Sequence, residues 1–354
     1  MIFITGFVSV LNNIWPYALA IFMFLLLVIV HELGHFIAAK AMGVRVNEFA
    51  VGFGPKLFSF QKGETKYSFN LIPLGGFCAM EGEDEKSTDE RAFCSKPAYK
   101  RFIIVVAGAV FNLILGLILV AVSLAPGKLF STTTIARFEE NSISSSAGML
   151  KVNDKIVEID GRKIYTLFDL SYAFTGISDG KVDIDVIREG EKVHLKDVTF
   201  GTEEVDGVDY LLVDFRVYGE EKTFGNYISQ TFKTAFSYVR VVWFSLIDLI
   251  SGKFGLNAVS SPVGVTAAVG TAAKQNIANI WPIMALITIN LGVFNLLPVP
   301  ALDGGRLLFI LIEMIFRKPV PQKFESLVHG IGFGISILFM ILITFKDIWK
   351  LIAG

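Results

Sequence analysis

Long uninterrupted runs of apolar residues, rather than short alternating segments, dominate the pattern of this chain. An α-helix needs about 20 such residues to cross a bilayer. Four runs approach this length, and they cover residues 14–39, 102–124, 277–297 and 330–345. Lys346, Asp347 and Trp349 follow the last run, and we expect them to act as anchors at the membrane interface. The pattern therefore predicts a polytopic α-helical membrane protein with four transmembrane helices.

The polar segment between the first two runs contains two strand-like pieces, at 52–55 and 67–77, that are rich in aromatic residues and punctuated by glycine. They could form an ordinary soluble hairpin. Because they are apolar and closely follow the first run, we favour a re-entrant β-hairpin that dips into the membrane. An exposed edge of such a hairpin could pair with an extended segment of another chain.

Residues 127–205 are predicted to form one compact β-rich domain. Apolar and polar residues alternate at 182–187, as in a strand with one buried face. Residues 147–161 show a succession of small residues, a polar turn and a short strand. The length of the segment suits a single small fold.

Residues 206–275 are expected to form a linker and one amphipathic helix at 224–251, which is dense in aromatic and aliphatic side chains. Lys233 and Arg240 lie two turns apart on one side of this helix. A fifth span is the alternative, but the two charges favour a helix that lies in the membrane interface.

Basic residues determine how the predicted membrane halves, 1–126 and 276–354, are oriented. Lys96, Lys100 and Arg101 precede the second span, whereas only Lys128 follows it closely. By the positive-inside rule the loop between the first two spans is cytoplasmic, so both chain ends and the β-rich domain are extracytoplasmic. The first and third spans then both end at the cytoplasmic leaflet.

The composition agrees with a membrane protein, since 53% of the residues are hydrophobic and 18% are charged. A net charge of −1 gives no reason to expect a polyanionic partner, so we expect no nucleic acid. Cys78 and Cys94 lie on one hydrophilic loop without the spacing of a zinc site, and we interpret both as incidental. The first charged side chain is Glu32, so the N-terminal run is interpreted as a retained span.

The sequence His-Glu-Leu-Gly-His at residues 31–35 ends the first apolar run. A helix places residues i and i+4 on one face, so His31 and His35 can bind one metal, with Glu32 beside them as a general base. Two histidines one turn apart can also be surface or packing residues. Ionisable groups at membrane depth are costly, however, and this favours a functional role.

A third ligand is expected from the segment that follows the third span. Pro298 and Pro300 break the helix there, so Asp303 lies on an irregular segment at the same leaflet as the histidines. An Asp-Gly-Gly sequence alone would indicate a turn. As a ligand, Asp303 would complete the arrangement of catalytic zinc, three protein ligands and a water. A metal transporter and an inactive metal-binding scaffold are the alternatives. Glu32 argues against both, because it is redundant as a ligand, whereas a hydrolase needs it as a base.

These motifs together resemble the site-2 protease family of intramembrane zinc metalloproteases, in its bacterial regulator-of-sigma-E branch. HELGH, GFGP, NLIPLGGF, AGAVFN at 107–112 and NLLPVPALDGG at 295–305 occur in the order that the family has. Residues 147–161 look like part of a PDZ domain, and only one copy fits before residue 224. Arg306 stands where some relatives have His.

The resemblance implies a role for each matching residue. His31, His35 and Asp303 would bind Zn²⁺, Glu32 would be the catalytic base, and Asn295 would bind the substrate backbone. Asn112 matches a family position, although helix packing accounts for it equally well. The expected substrate-binding residues of the re-entrant strand are Phe69, Asn70, Leu71, Gly75 and Gly76.

The resemblance also implies the setting in which the protein works. The substrates would be single-span membrane proteins, such as anti-sigma factors already shortened by a site-1-type protease, and remnant signal peptides. The protein would reside in the bacterial inner membrane, with its active site near the cytoplasmic leaflet.

Overall fold

The structure is a computed structural model that describes residues 2–83, 85, 87–146, 149–205, 207–255 and 259–353. Ala147 and Gly148, which begin the PDZ-like motif, lie outside the described residues. The α-helices are α1 Ile2–Ala41, α2 Ala98–Leu124, α3 Leu167–Ala173, α4 Phe224–Ile250, α5 Pro262–Gln275, α6 Ile280–Leu296, α7 Asp303–Phe316 and α8 Gln322–Ala353. The strands are β1 Val46–Lys62, β2 Thr65–Met80, β3 Leu129–Phe138, β4 Lys155–Ile159, β5 Arg162–Lys163, β6 Lys181–Arg188, β7 Glu191–Thr199, β8 Gly201–Val205, β9 Val208–Leu212 and β10 Phe215–Glu221.

Among the described residues, four helices are long and apolar enough to cross a membrane, which confirms the predicted number. They are Trp15–Ala41, Ala98–Leu124, Ile277–Leu296 and Lys323–Lys350. The last span is longer at both ends than the predicted 330–345, because α8 continues without a break through its glycines. These helices and the β-rich sheets together make a multi-pass membrane protein.

Asp347, which the sequence predicts to be an interfacial anchor, has a partner within the protein. Its side chain is buried and accepts a hydrogen bond from the Ser261 N–H at 2.6 Å. Ser261 is the N-cap of α5, where backbone N–H groups lack partners within the helix. The carboxylate therefore ties the end of α8 to the start of α5.

The chain divides into two compact units, residues 1–119 with 260–354 and residues 120–259. In the first unit α1 and α2 pack closely at glycines. A Cβ at Gly34 would lie 2.5 Å from the Ala107 carbonyl oxygen, so only glycine fits between these helices. Ile104, Val105, Leu307 and Ile310 belong to the buried core of this unit.

Strands β1 and β2 fold back on each other as four segments of one small sheet. Residues 46–51 pair on one side with 76–80, and the partner numbers run in opposite directions, as in Ala50 with Phe77. On the other side they pair with 66–69, and here the two segments run in the same direction, as in Glu48 with Lys66 and Val51 with Phe69. Residues 56–62 pair in turn with the far side of residues 65–70 and form the opposite edge. The sheet thus has two edges, and we call residues 76–80 the edge segment.

The second unit contains an antiparallel sheet in the order β10-β3-β4-β6-β7, with β5 beside β4 and a separate β8-β9 hairpin. Its core includes Ile135, Ile156, Ile184 and Phe215. The strands continue to Glu221, past the predicted boundary at 205. They do so because Phe215 on β10 pairs with Phe138 on β3 and fills the core.

Helix α4 packs against the β-rich part of its own unit. Arg240 donates to the Asp169 carboxylate at 3.1 Å, and Ser237 donates to the same carboxylate at 2.6 Å. Near the other end, the Arg162 guanidinium donates two hydrogen bonds to Asp248. Arg240, one of the two charges that favoured an interfacial helix, is thus paired within the unit.

Candidate metal centre

His31 and His35 project from α1 towards the same point. Their Nε2 atoms lie 3.2 Å apart. The other ring nitrogen of each is held in place, since His35 Nδ1 lies 2.9 Å from the Ile104 carbonyl oxygen and His31 Nδ1 lies 3.1 Å from the Asn112 side-chain amide. Both imidazoles are buried, and both leave Nε2 directed at the shared point.

The local sequence brings Asp303 to these histidines. Helix α6 ends at Leu296 because Pro298 has no N–H to continue it, and Asp303 is the first residue of α7. Its Oδ2 atom lies 3.0 Å from His31 Nε2 and 3.2 Å from His35 Nε2. The predicted trio therefore converges in space.

The three donor atoms fit a zinc ion. Ligands at about 2.0–2.1 Å from a tetrahedral zinc lie about 3.3 Å from one another, close to the spacing found here. Asp303 Oδ2 is buried, and apart from the two imidazole nitrogens it has no polar partner among the described residues, an arrangement that a bound cation would satisfy. Two imidazoles and a carboxylate also match the ligand chemistry of catalytic zinc. No other described group of His, Cys, Asp and Glu forms such a cluster.

Glu32 and the edge segment line the same cavity as the metal ligands. The cavity has a volume of about 660 Å³, and Phe77, Cys78, Ala79 and Met80 form one wall. Gly76 is a neighbour of Glu32, since an added Cβ would be in ordinary van der Waals contact with Glu32 Cγ at 3.6 Å. The general-base candidate therefore lies between the metal ligands and the start of the edge segment.

The other predicted strand residues occupy different positions. Asn70 is buried, and its Nδ2 donates to the Gly52 carbonyl at 2.9 Å, so its side chain links the segments of the sheet. Phe69 and Leu71 are exposed. Gly75 has a φ of +92°, which suits the turn that leads into the edge segment.

Asn295 lies in the last turn of α6 and is buried. Asn112 was left with an open role, and the structure places its amide against His31.

Two ionisable residues that line the cavity, Glu83 and His329, were not singled out by the sequence analysis. Glu83 accepts hydrogen bonds from the Arg306 side chain and from the Met80 N–H. His329 on α8 accepts a hydrogen bond through Nδ1 from the Ala301 N–H, at 3.1 Å, within the loop that leads to Asp303. An acidic residue in a charged loop carries no distinguishing signal. His329 could have been noticed as a histidine in an apolar stretch.

Comparison with known proteins agrees with this geometry. The sequence profile of peptidase family M50 matches residues 19–339. A Clostridium perfringens protein with the provisional name of zinc metalloprotease is 37% identical, over 93% of this chain and 97% of its own length. The regulator of sigma-W protease RasP of Bacillus subtilis is 30% identical, over 94% of this chain and 97% of its own. The zinc metalloprotease RasP of Geobacillus kaustophilus is 29% identical, over 92% and 95%. The chain therefore belongs to peptidase family M50, the site-2 protease family of zinc metalloproteases.

Proposed function

We propose that this protein is an intramembrane endopeptidase that cuts single-span membrane proteins, with His31, His35 and Asp303 as the zinc ligands and Glu32 as the base. The observation that carries the proposal is the convergence of three ligand atoms, 3.0–3.2 Å apart, in a cavity that also contains Glu32 and an open strand edge. The name of the Bacillus subtilis relative, a regulator of sigma-W, favours membrane-anchored regulators of transcription as substrates.

Each residue has a defined task in this proposal. Bound zinc supplies Lewis-acid activation of a water molecule and of the scissile carbonyl. Glu32 takes the proton of that water and later gives it to the leaving amine. Asn295 contacts the substrate backbone near the reacting carbonyl, as the family resemblance implies.

The edge segment would receive the unwound part of the substrate. The Met80 N–H points away from β1, to Glu83 Oε2 at 3.3 Å. Since alternate residues of an antiparallel strand direct their backbone groups to the same side, Gly76 and Cys78 present N–H and C=O groups to that side as well. A helix that unwinds in lipid exposes unpaired amides at several kcal/mol each. Strand pairing at this edge would satisfy them.

The proposed setting follows from the charge distribution. The loop that contains the sheet would be cytoplasmic and re-entrant in the inner membrane, and the β-rich unit would be an extracytoplasmic PDZ-like domain that filters or recognises substrates. The exposed apolar face of α4 supports a place for this helix at the membrane interface; it is formed by Phe224, Ile228, Phe232, Phe236, Trp243 and Ile247.

The test uses purified full-length protein in detergent with zinc and a panel of single-span polypeptides. We expect the wild type to cleave within the apolar segment. Glu32→Gln should keep its zinc and lose activity at least a hundredfold, because only proton transfer is removed. Cys78→Pro, which removes one backbone donor of the edge segment, should also keep zinc and lower turnover, whereas the control Leu57→Pro on the opposite edge should not.

Two results would contradict the proposal. Cleavage that persists in Glu32→Gln would exclude the mechanism. Zinc transport into liposomes without any cleavage would indicate a transporter instead.

A further inference from the structure

We propose that the ion pair between Glu83 and Arg306 determines which bond of a substrate is cut, by fixing the edge segment relative to the zinc ligand Asp303. The inference rests on the proposed function, because it concerns the register of a substrate strand on that segment. Glu83 and Arg306 would act as positioning residues, since neither is required to contact the reacting atoms.

Glu83 links two elements that are far apart in sequence. Its Oε2 accepts the Met80 N–H, the last backbone donor of the edge segment, at 3.3 Å. Its Oε1 accepts a hydrogen bond from the Arg306 guanidinium. Both side chains are largely shielded from solvent, with exposed fractions of 19% and 24%. A charge-assisted hydrogen bond in such a place is stronger than one on an open surface.

Arg306 is rigidly connected to the metal ligand. It lies in the first turn of α7, three residues after Asp303. This turn packs backbone to backbone against the preceding loop: a Cβ at Gly304 would lie 2.7 Å from the Leu296 carbonyl carbon, and one at Gly305 would lie 2.6 Å from the Val299 oxygen. Arg306 and Asp303 therefore move together, so Glu83 ties the edge segment to the metal ligand itself.

The opposite end of the edge segment is also fixed, because Gly76 pairs with Val51 of β1 at a position close to Glu32. The segment is thus held beside the base at one end and beside the ligand helix at the other. Neighbouring residues of a strand differ in position by about 3.3 Å, and a displacement of 1 Å can lower a rate about a hundredfold. Without the Glu83 link, the Met80 end of the segment would be held only by its pairing with β1 and not by the ligand helix, and a bound strand could present more than one carbonyl to the metal.

The chain offers a matched control in Arg101 and Glu313, which form another ion pair in the same unit. Their exposed fractions, 16% and 20%, are similar. All four charged residues line a second cavity of about 260 Å³, but Arg101 and Glu313 do not line the cavity of the metal ligands. Loss of this pair removes a comparable interaction without freeing the edge segment.

The experiment measures cleavage sites by mass spectrometry and rates with full-length protein in detergent. The probe is a polypeptide with one span of about 20 Leu and Ala residues, interrupted by Asn and Gly so that it can unwind. For Glu83→Ala and Arg306→Ala we expect cuts spread over neighbouring bonds, and kcat/KM at the main bond lowered tenfold to a hundredfold with zinc content unchanged. The double variant should have a kcat/KM no lower than that of the less active single variant, because the two residues act as one unit.

Three further variants sharpen the test. Glu83→Gln keeps one acceptor oxygen where the carboxylate has two, so it cannot hold both the Met80 N–H and Arg306 and should spread the cuts as Glu83→Ala does. Arg306→Lys keeps a charged donor for Glu83 and should keep the main cleavage site, and Arg101→Ala should leave both the site and the rate unchanged. A lowered rate at an unchanged single bond, or loss of zinc from the Ala variants, would overturn the inference. Absence of cleavage by zinc-loaded wild type would contradict the proposed function itself, and with it this inference.

Discussion

At the scale of single residues, the second nitrogen of each histidine decides which nitrogen can bind a metal. Nε2 binds only if Nδ1 carries the proton. His35 Nδ1 lies beside the Ile104 carbonyl oxygen, which accepts that proton. His31 Nδ1 lies beside the Asn112 amide, and Asn112 Oδ1 is a buried atom without a partner among the described residues. If the Asn112 amide is turned so that its oxygen faces His31, Oδ1 accepts the proton of His31 Nδ1 and both atoms have a partner. This hydrogen bond fixes the tautomer in which Nε2 can bind a metal.

We therefore predict that Asn112→Leu lowers zinc affinity by about tenfold to a hundredfold, the usual effect of removing a group that orients a ligand. Asn112→Asp should stay close to wild type, because its carboxylate also accepts the Nδ1–H proton. Competition with a chelator measures the affinity. Thr288→Val is the control, since the Thr288 hydroxyl donates to the backbone carbonyl oxygen of Asn112 and does not touch the side-chain amide that faces the histidine. Equal affinities for Asn112→Leu and wild type would exclude this role.

At the scale of elements, the sequence predicts what depends on near neighbours. HELGH sets two ligands one turn apart, and Pro298 ends α6 before Asp303; both are local effects. The pairing of Glu83 with Arg306 joins residues 223 positions apart, and no local pattern encodes it. Arg240 shows the same limit: on the helix alone it indicates a polar face, but α3 supplies Asp169 as its partner.

The attachment of α4 to its unit is predicted to depend on pH. Burial by itself would raise the pKa of Asp248, but hydrogen bonds from Arg162 and Tyr172 outweigh burial and hold the pKa below its ordinary value. A carboxylate with a lowered pKa in the folded state stabilises that state fully above about pH 4. The contribution is lost as the pH falls through the folded-state pKa.

Hydrogen exchange of the full-length protein can measure this. Protection of α4 amides, corrected for intrinsic rates, should be constant from neutral pH to about pH 5 and fall below about pH 4. Asp248→Asn should lower the protection of α4 amides at neutral pH by about 2 kcal/mol, a roughly thirtyfold faster exchange, and it should remove the acid-dependent step. Asp214→Asn is the control, because the Asp214 carboxylate accepts its hydrogen bonds from Ile143 and Ser144, which lie outside α4. Unchanged α4 protection in Asp248→Asn would refute the prediction.

At the scale of the whole molecule, the sidedness of the membrane decides whether the metal site faces the cytoplasm. The chain contains its own probes. Cys94 is exposed in the loop after the edge segment, whereas Cys78 is buried, and burial raises the pKa of its thiol. Only a thiolate reacts readily with a maleimide, so Cys94 is the thiol that an added reagent labels.

A membrane-impermeant maleimide should therefore label wild-type protein in inverted membrane vesicles and not in intact spheroplasts. The physical reason is the cluster of Lys96, Lys100 and Arg101, which by the positive-inside rule would retain this loop on the cytoplasmic side. A variant that combines Cys94→Ser with Ser145→Cys moves the exposed thiol into the β-rich unit, and it should show the reverse pattern. Labelling of Cys94 in spheroplasts would place the edge segment and its cavity outside, where a substrate's cytoplasmic end could not reach them.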